Sequence, residues 1–196
     1  MSFGPDKLLG GGAYGKVYQA KTPDALDCAV KTIRLFDDMG PVEAIRDVTR
    51  EYALQSELAT SPYICRVLGL VGVESLHNTM IGSGLMMELC EYPLHKALEQ
   101  LSGPEHHRQK LLFSLHIASG LLCMHEKKLI HLDLKLDNIL LNKHRSATGE
   151  TSAVISDFGL CRRTDSSHNV TVRKNGVYAA SYRCPEATAL ESEPGA

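Results

Sequence analysis

What this sequence lacks narrows the field first. Its six cysteines, Cys28, Cys65, Cys90, Cys123, Cys161 and Cys184, contain no C-x-x-C pair. Their even scatter argues against a zinc site and a disulfide framework, and suits a reducing compartment. His125-Glu126-Lys127-Lys128 begins like H-E-x-x-H and then lacks the second histidine, so that metalloprotease signature is absent. Basic residues form no tract, and 21 Lys and Arg against 23 Asp and Glu give a net charge of −2. Nothing there draws the chain in bulk to nucleic acid or to an anionic membrane. No apolar run reaches membrane-span length, the stretch from Ile117 to Met124 being among the longest. Asp6 and Lys7 interrupt the start before a signal-peptide core could form. A cytoplasmic location, or a nuclear one, is the expectation.

What is present is ordinary globular composition, 43% hydrophobic and 22% charged over 196 residues. Short strand-like runs come first. Cys28 to Ile33 is a compact β-type segment, Ile64 to Val73 another, and Leu85 to Leu89 a short buried one. Between the first two, Val42, Ile45, Val48 and Tyr52 recur at helical spacing, and Ser61-Pro62 closes that helix. After Leu89 the composition turns helical. A short amphipathic segment covers Leu94 to Leu101, and a longer helix runs from about Glu105 to His125. Leu111, Leu112, Leu115, Ile117 or Ala118, Leu121 and Leu122 are its expected apolar face. Two strand-like pieces follow, Asn138 to Leu141 and Ala153 to Ser156, with a polar insert from Lys143 to Ser152 between them. Strands first and helices later is the order of an α+β chain.

The glycine run Gly10-Gly11-Gly12-Ala13-Tyr14-Gly15-Lys16-Val17 is too rich in glycine for a helix or a strand interior. It fits three kinds of phosphate-facing turn. A Walker loop needs Ser or Thr after the lysine, and Val17 stands there. A Walker loop or a dinucleotide-binding turn also opens a helix, whereas Lys16 to Lys21 alternates like a strand. What remains is a glycine-rich lid between two strands, matching G-x-G-x-x-G-x-V through Gly10, Gly12, Gly15 and Val17. A plain glycine-rich hairpin fits equally well until other motifs are considered.

Four more motifs follow in order. Ala29-Val30-Lys31 lies on a strand. His131-Leu132-Asp133-Leu134-Lys135-Leu136-Asp137-Asn138 matches H-R-D-L-K-x-x-N except at Leu132. Asp157-Phe158-Gly159 comes next, and then Cys184-Pro185-Glu186, close to A-P-E. All five at plausible spacing leave little room for coincidence. The chain resembles a eukaryotic-type protein kinase domain of the Ser/Thr class, from about Leu8 to Glu186. The resemblance implies a bilobal α+β fold, with a complete β-rich N-lobe over residues 1–88 and a partial helical C-lobe over residues 89–196.

It also implies roles, residue by residue. ATP and Mg²⁺ would be the cofactors and a protein serine or threonine the acceptor. Asp133 would take the hydroxyl proton, Lys135 steady the transferred phosphate, and Asn138 and Asp157 hold the metal. Lys31 would bind phosphate and pair with Glu51 in preference to Glu57, which lies too near the helix end. Leu9 and the run from Gly10 through Gly11, Gly12, Ala13, Tyr14, Gly15 and Lys16 to Val17 would cover the nucleotide. Ala29 and Leu140 would join Val17 in sandwiching the adenine ring. Met87 falls at the gatekeeper position, and Glu88 to Cys90 form the hinge that bonds the adenine edge.

Three departures stand out. Leu132 replaces an arginine that in the family binds an activation-loop phosphate. Ala179 stands where Ser/Thr kinases usually carry threonine. Only ten residues follow Glu186, where the family continues with further helices. The expectation is a truncated domain with apolar surface exposed on the helix of Leu111 to Leu122, and a partner covering it. An inactive nucleotide-binding scaffold, or an inactive fragment, is the alternative to an enzyme.

Overall fold

A computed structural model describes residues 7–12, 15–22, 24–33, 41–74, 80–143 and 150–165. Five strands form one antiparallel sheet: β1 (Lys7–Gly12), β2 (Gly15–Lys21), β3 (Asp27–Ile33), β4 (Val67–Glu74) and β5 (Met80–Glu88), in spatial order β1-β2-β3-β5-β4. The glycine run therefore divides differently from the expectation. Gly10 to Gly12 belong to β1 and pair with β2 up to Gly12 against Gly15, past a register shift between Leu8 and Gly10. Main-chain pairing to a neighbour holds glycines in a strand that their own propensity would not form.

Register decides what faces inward. Val17 lies opposite Lys31 and Lys31 opposite Leu85, while Ala29 lies opposite Met87. Directly opposed residues share a sheet face, so these five side chains line the same side. Cys28 and Val30 alternate to the other side, where they pack with Val71. Glycine at 84 sits close to its neighbours: a Cβ there would stand 3.0 Å from Val30 Cγ1 and 3.2 Å from the Lys31 carbonyl oxygen, so these would have to give.

Helix α1 (Pro41–Ser56) crosses the inner side of the sheet. Proline suits its first position and Glu43 its first turn. Val48 is buried with Leu85 and Met87, and Tyr52 packs against them. Below the sheet lie β6 (Tyr92–Pro93), α2 (Leu94–Gln100), α3 (His107–Glu126), β7 (Leu129–Ile130), β8 (Ile139–Asn142), β9 (Ser152–Ile155) and β10 (Arg162–Arg163). β8 pairs with β6 and β9, and β7 with β10. Their core joins Phe113, Met124, Leu129, Ile139, Ile155 and Phe158. The sheet-rich part and the helical part together make the partial bilobal arrangement of a kinase fold.

The apolar face of α3 matches the expected one only in part. Phe113, Gly120 and Met124 are buried, and Ile117 and Leu121 pack against the core. Leu111, Leu115 and Leu122 point the opposite way, 70%, 59% and 60% exposed. The helix is apolar on two sides, so counting leucines could not tell which side this core uses.

Candidate active site

The inner face of the sheet and the β8–β9 hairpin enclose a cleft of about 770 Å³. Its walls are built from the sequence-predicted residues Leu9, Gly10, Gly11, Gly15, Val17, Ala29, Met87 and Leu140, and its outer edge from Glu88 and Cys90. Lys31, Lys135, Asn138 and Asp157 make its other end polar. Apolar walls with a few convergent polar groups are the usual form of a small-molecule site. Lys16 is exposed and does not line the cleft, because period-two alternation turns it away from the side that Val17 faces. Ala13 and Tyr14 lie outside the described residues, as do Ala179 and Cys184-Pro185-Glu186.

Lys31 is the centre of the polar end. Its ammonium stands 2.7 and 2.9 Å from the two Glu51 carboxylate oxygens and 2.7 Å from Asp157 Oδ1. Burial alone would lower its pKa, but the carboxylates of Glu51 and Asp157 outweigh that and raise it. Burial likewise pushes Asp157 up, and the Lys31 charge and hydrogen bond overcome it, leaving Asp157 below the usual carboxylate range. Both groups are therefore charged at neutral pH. Glu57, the alternative partner, instead meets Arg163 at 2.7 Å on the surface.

The segment between β7 and β8 carries the second cluster. Asp133 is buried. Its Oδ2 accepts from Lys135 Nζ at 2.8 Å and from Asn138 Nδ2 at 2.9 Å. Asn138 Nδ2 also donates to the Asp133 carbonyl at 2.8 Å, and a 3-10 turn at Leu136–Asn138 brings it there. Asp133 Oδ1 is buried with no hydrogen-bond partner among the described residues. An orphaned carboxylate oxygen is costly unless something outside the protein uses it. Burial pulls the Lys135 pKa down, but the Asp133 hydrogen bond and charge raise it on balance.

His131 was part of the quoted motif but had no assigned role, and the structure supplies one. Its Nδ1 accepts from the Asp133 backbone N–H at 3.3 Å, and its Nε2 donates to the Ser156 carbonyl at 3.0 Å. That pattern fits the neutral ring, and burial lowers its pKa accordingly. The ring also sits 5.2 Å from that of Phe158. His131 thus ties the Asp133 loop to the Asp157 segment. Arg50, beside Glu51, was overlooked: its Nη2 donates to the Gly159 carbonyl at 3.0 Å, joining α1 to the same segment.

Two backbone conformations shape the site. Leu132 has φ of 65° and Asp157 φ of 64°. Left-handed non-glycine residues carry strain of about 1 kcal/mol or more and gather at functional sites. The turn at Leu132 carries the chain from His131 to Asp133, both buried.

The donor set fits a nucleotide and a hard cation. Asn138 spends amide hydrogens on Asp133, which leaves its side-chain oxygen as the donor for a metal. With the Asp157 carboxylate this makes an oxygen pair of the kind Mg²⁺ prefers. Lys31 offers positive charge where phosphate would lie.

Comparison with known proteins identifies the family. The family model for the protein kinase domain matches residues 3–194. A serine/threonine-protein kinase/endoribonuclease, ire-1, of Caenorhabditis elegans is 30% identical over 86% of this chain and 16% of its own length. A probable leucine-rich repeat receptor-like serine/threonine-protein kinase of Arabidopsis thaliana is 29% identical over 94% of this chain and 17% of its own length. The mitogen-activated protein kinase kinase kinase nsy-1 of Caenorhabditis elegans is 31% identical over 91% of this chain and 11% of its own. The chain thus spans a small part of these relatives. It belongs to the protein kinase domain family, whose reaction requires ATP and a divalent cation and whose acceptors are proteins.

Proposed function

We propose that this chain binds Mg-ATP in the cleft and transfers the γ-phosphoryl group to a serine or threonine hydroxyl of a protein. The observation that carries the reading is the state of Asp133: one oxygen fixed by Lys135 and Asn138, the other buried and without a partner among the described residues. Such a carboxylate is positioned to orient an incoming hydroxyl and accept its proton at Oδ1. Val17, Ala29 and Leu140 would flank the adenine, and the backbone from Glu88 to Cys90 would bond its edge. Lys31, steadied by Glu51, binds phosphate oxygens. Lys135, beside Asp133, faces the transferred group. Asn138 and Asp157 would hold Mg²⁺, which would supply positive charge against the phosphates.

The Ser/Thr class rests on Lys135 in the H-x-D-L-K motif and on the names of the relatives. We divide the chain into lobes after Glu88, where β5 ends. Leu132 carries no guanidinium, so binding of an activation-segment phosphate at that position is not part of this reading. The scattered thiols fit a cytoplasmic or nuclear site. Among the described residues, no helix is long and apolar enough to cross a membrane.

The test is incubation with Mg-ATP and a generic protein substrate, followed by phosphoamino-acid analysis. Phosphoserine or phosphothreonine is expected, and phosphotyrosine alone would contradict the acceptor class. A melting temperature raised by Mg-ATP with no transfer would favour a nucleotide-binding scaffold.

A further inference from the structure

We propose that Cys65, Glu88 and Cys90 form a binding site for a soft divalent cation of the Zn²⁺ type at the hinge edge of the cleft, separate from the Asn138–Asp157 pair. The two sulfurs and a Glu88 carboxylate oxygen all lie within 4.8 Å of one another. They arrive from different places: Cys65 precedes β4, Glu88 ends β5, and Cys90 follows two residues on. All three are among the residues that border the cleft. No C-x-x-C spacing announces them, which is why the sequence pointed away from a zinc site.

Each donor is held from behind. Cys65 is fixed by its backbone, whose N–H donates to the Ile155 carbonyl at 2.8 Å and whose carbonyl accepts from Gln55 Nε2 at 2.6 Å. The Arg66 backbone N–H donates to Glu88 Oε1 at 2.6 Å. Buried Asn142 donates to Glu88 Oε2 at 3.0 Å and contacts Cys90 Sγ at 3.8 Å. An outer residue that orients two ligands at once is what tuned metal sites employ.

The donor chemistry selects the ion. Two thiolates and one carboxylate suit Zn²⁺ and disfavour Mg²⁺, which prefers oxygen alone. Around a tetrahedral ion with bonds of about 2.0–2.3 Å, neighbouring ligand atoms lie roughly 3.5 Å apart. The three donors reach that spacing by small side-chain movements. Binding releases a proton from each thiol to solvent and forms two metal–sulfur bonds and one metal–oxygen bond, with water completing the fourth position. The inference does not depend on nucleotide binding and survives if the cleft takes no ATP.

Cobalt is the probe. Titrating the reduced, intact chain with Co²⁺ is expected to give a saturable thiolate-to-cobalt charge-transfer absorption that Zn²⁺ abolishes. Cys65→Ala and Cys90→Ser should each weaken binding by at least about 10-fold, the low end of what losing even an outer-shell partner costs. Cys123→Ala, at a cysteine outside the trio, should leave the signal unchanged. Cys65 is buried, so Cys90→Ser at the part-exposed position decides the matter should Cys65→Ala not fold. The proposal is overturned by absence of the absorption or by its survival in Cys90→Ser.

Discussion

Replacing Lys31 with methionine should destabilise the chain as well as disarm it. The Lys31 side chain is 9% exposed, Glu51 3% and Asp157 32%. Methionine fills the space of the lysine stem but strands the Glu51 carboxylate away from water. Removing one member of a buried pair costs about 3–5 kcal/mol. Water can reach Asp157, so its loss of a partner adds little, and the low end, about 3 kcal/mol, is expected. Adding Glu51→Gln to Lys31→Met removes the stranded charge and should restore about 1–2 kcal/mol. Urea unfolding followed by circular dichroism reads this directly. With a slope of about 2 kcal/mol per molar, the single variant's midpoint falls by roughly 1.5 M and the double variant recovers part of it. A single variant within about 0.5 kcal/mol of the parent would refute the reasoning. So would a double variant less stable than the single one.

Other outcomes follow from named contacts. At Gly120 on α3, a Cβ would meet Ile155 Cδ1 at 2.9 Å and the Tyr63 carbonyl oxygen at 3.1 Å. Gly120→Ala should thus lose about 1 kcal/mol in thermal unfolding, overpacking outweighing the helix-propensity gain; a stabilised variant contradicts that packing. His131 has its pKa lowered by burial. The unfolded chain therefore binds a proton below about pH 6.5 that the folded chain refuses, and stability falls with acidification there, by at most about 1.4 kcal/mol per pH unit. His131→Gln should flatten that slope in unfolding measured between pH 7 and pH 5, and an unchanged slope removes His131 as its source. Burial pushes the Cys161 thiol up to about 11, so a thiol reagent at neutral pH should label it only after denaturation. Prompt labelling of the native chain contradicts that burial.

Much of the candidate site was legible because its polar residues stand in motifs that follow one another in a fixed order. Lys31, Asp133, Asn138 and Asp157 stand in motifs that survive without structure. The choice of Glu51 over Glu57 rested on position in the helix, and the structure pairs Lys31 with Glu51 and leaves Glu57 to Arg163. What escaped was tertiary. The strands at Tyr92–Pro93, Leu129–Ile130 and Arg162–Arg163 are two residues long and leave no periodic signal. The buried side of α3 is chosen by its neighbours, since both sides are apolar. The contacts of Arg50 with Gly159 and of His131 with Ser156 span 109 and 25 residues, beyond any local pattern. The left-handed turn at Leu132 carries no glycine or asparagine to betray it.

The central claim is that Asp133 is the group that orients and deprotonates the acceptor hydroxyl. It is tested most directly by following phosphoryl transfer from Mg-ATP to a protein substrate by the parent chain and by Asp133→Asn. Asparagine keeps the shape and can still meet Lys135 and Asn138, but it has no carboxylate to take the proton. The account predicts measurable transfer by the parent and a loss of about 10²–10⁴-fold in the variant, with nucleotide affinity little changed. Equal transfer by both proteins would contradict it.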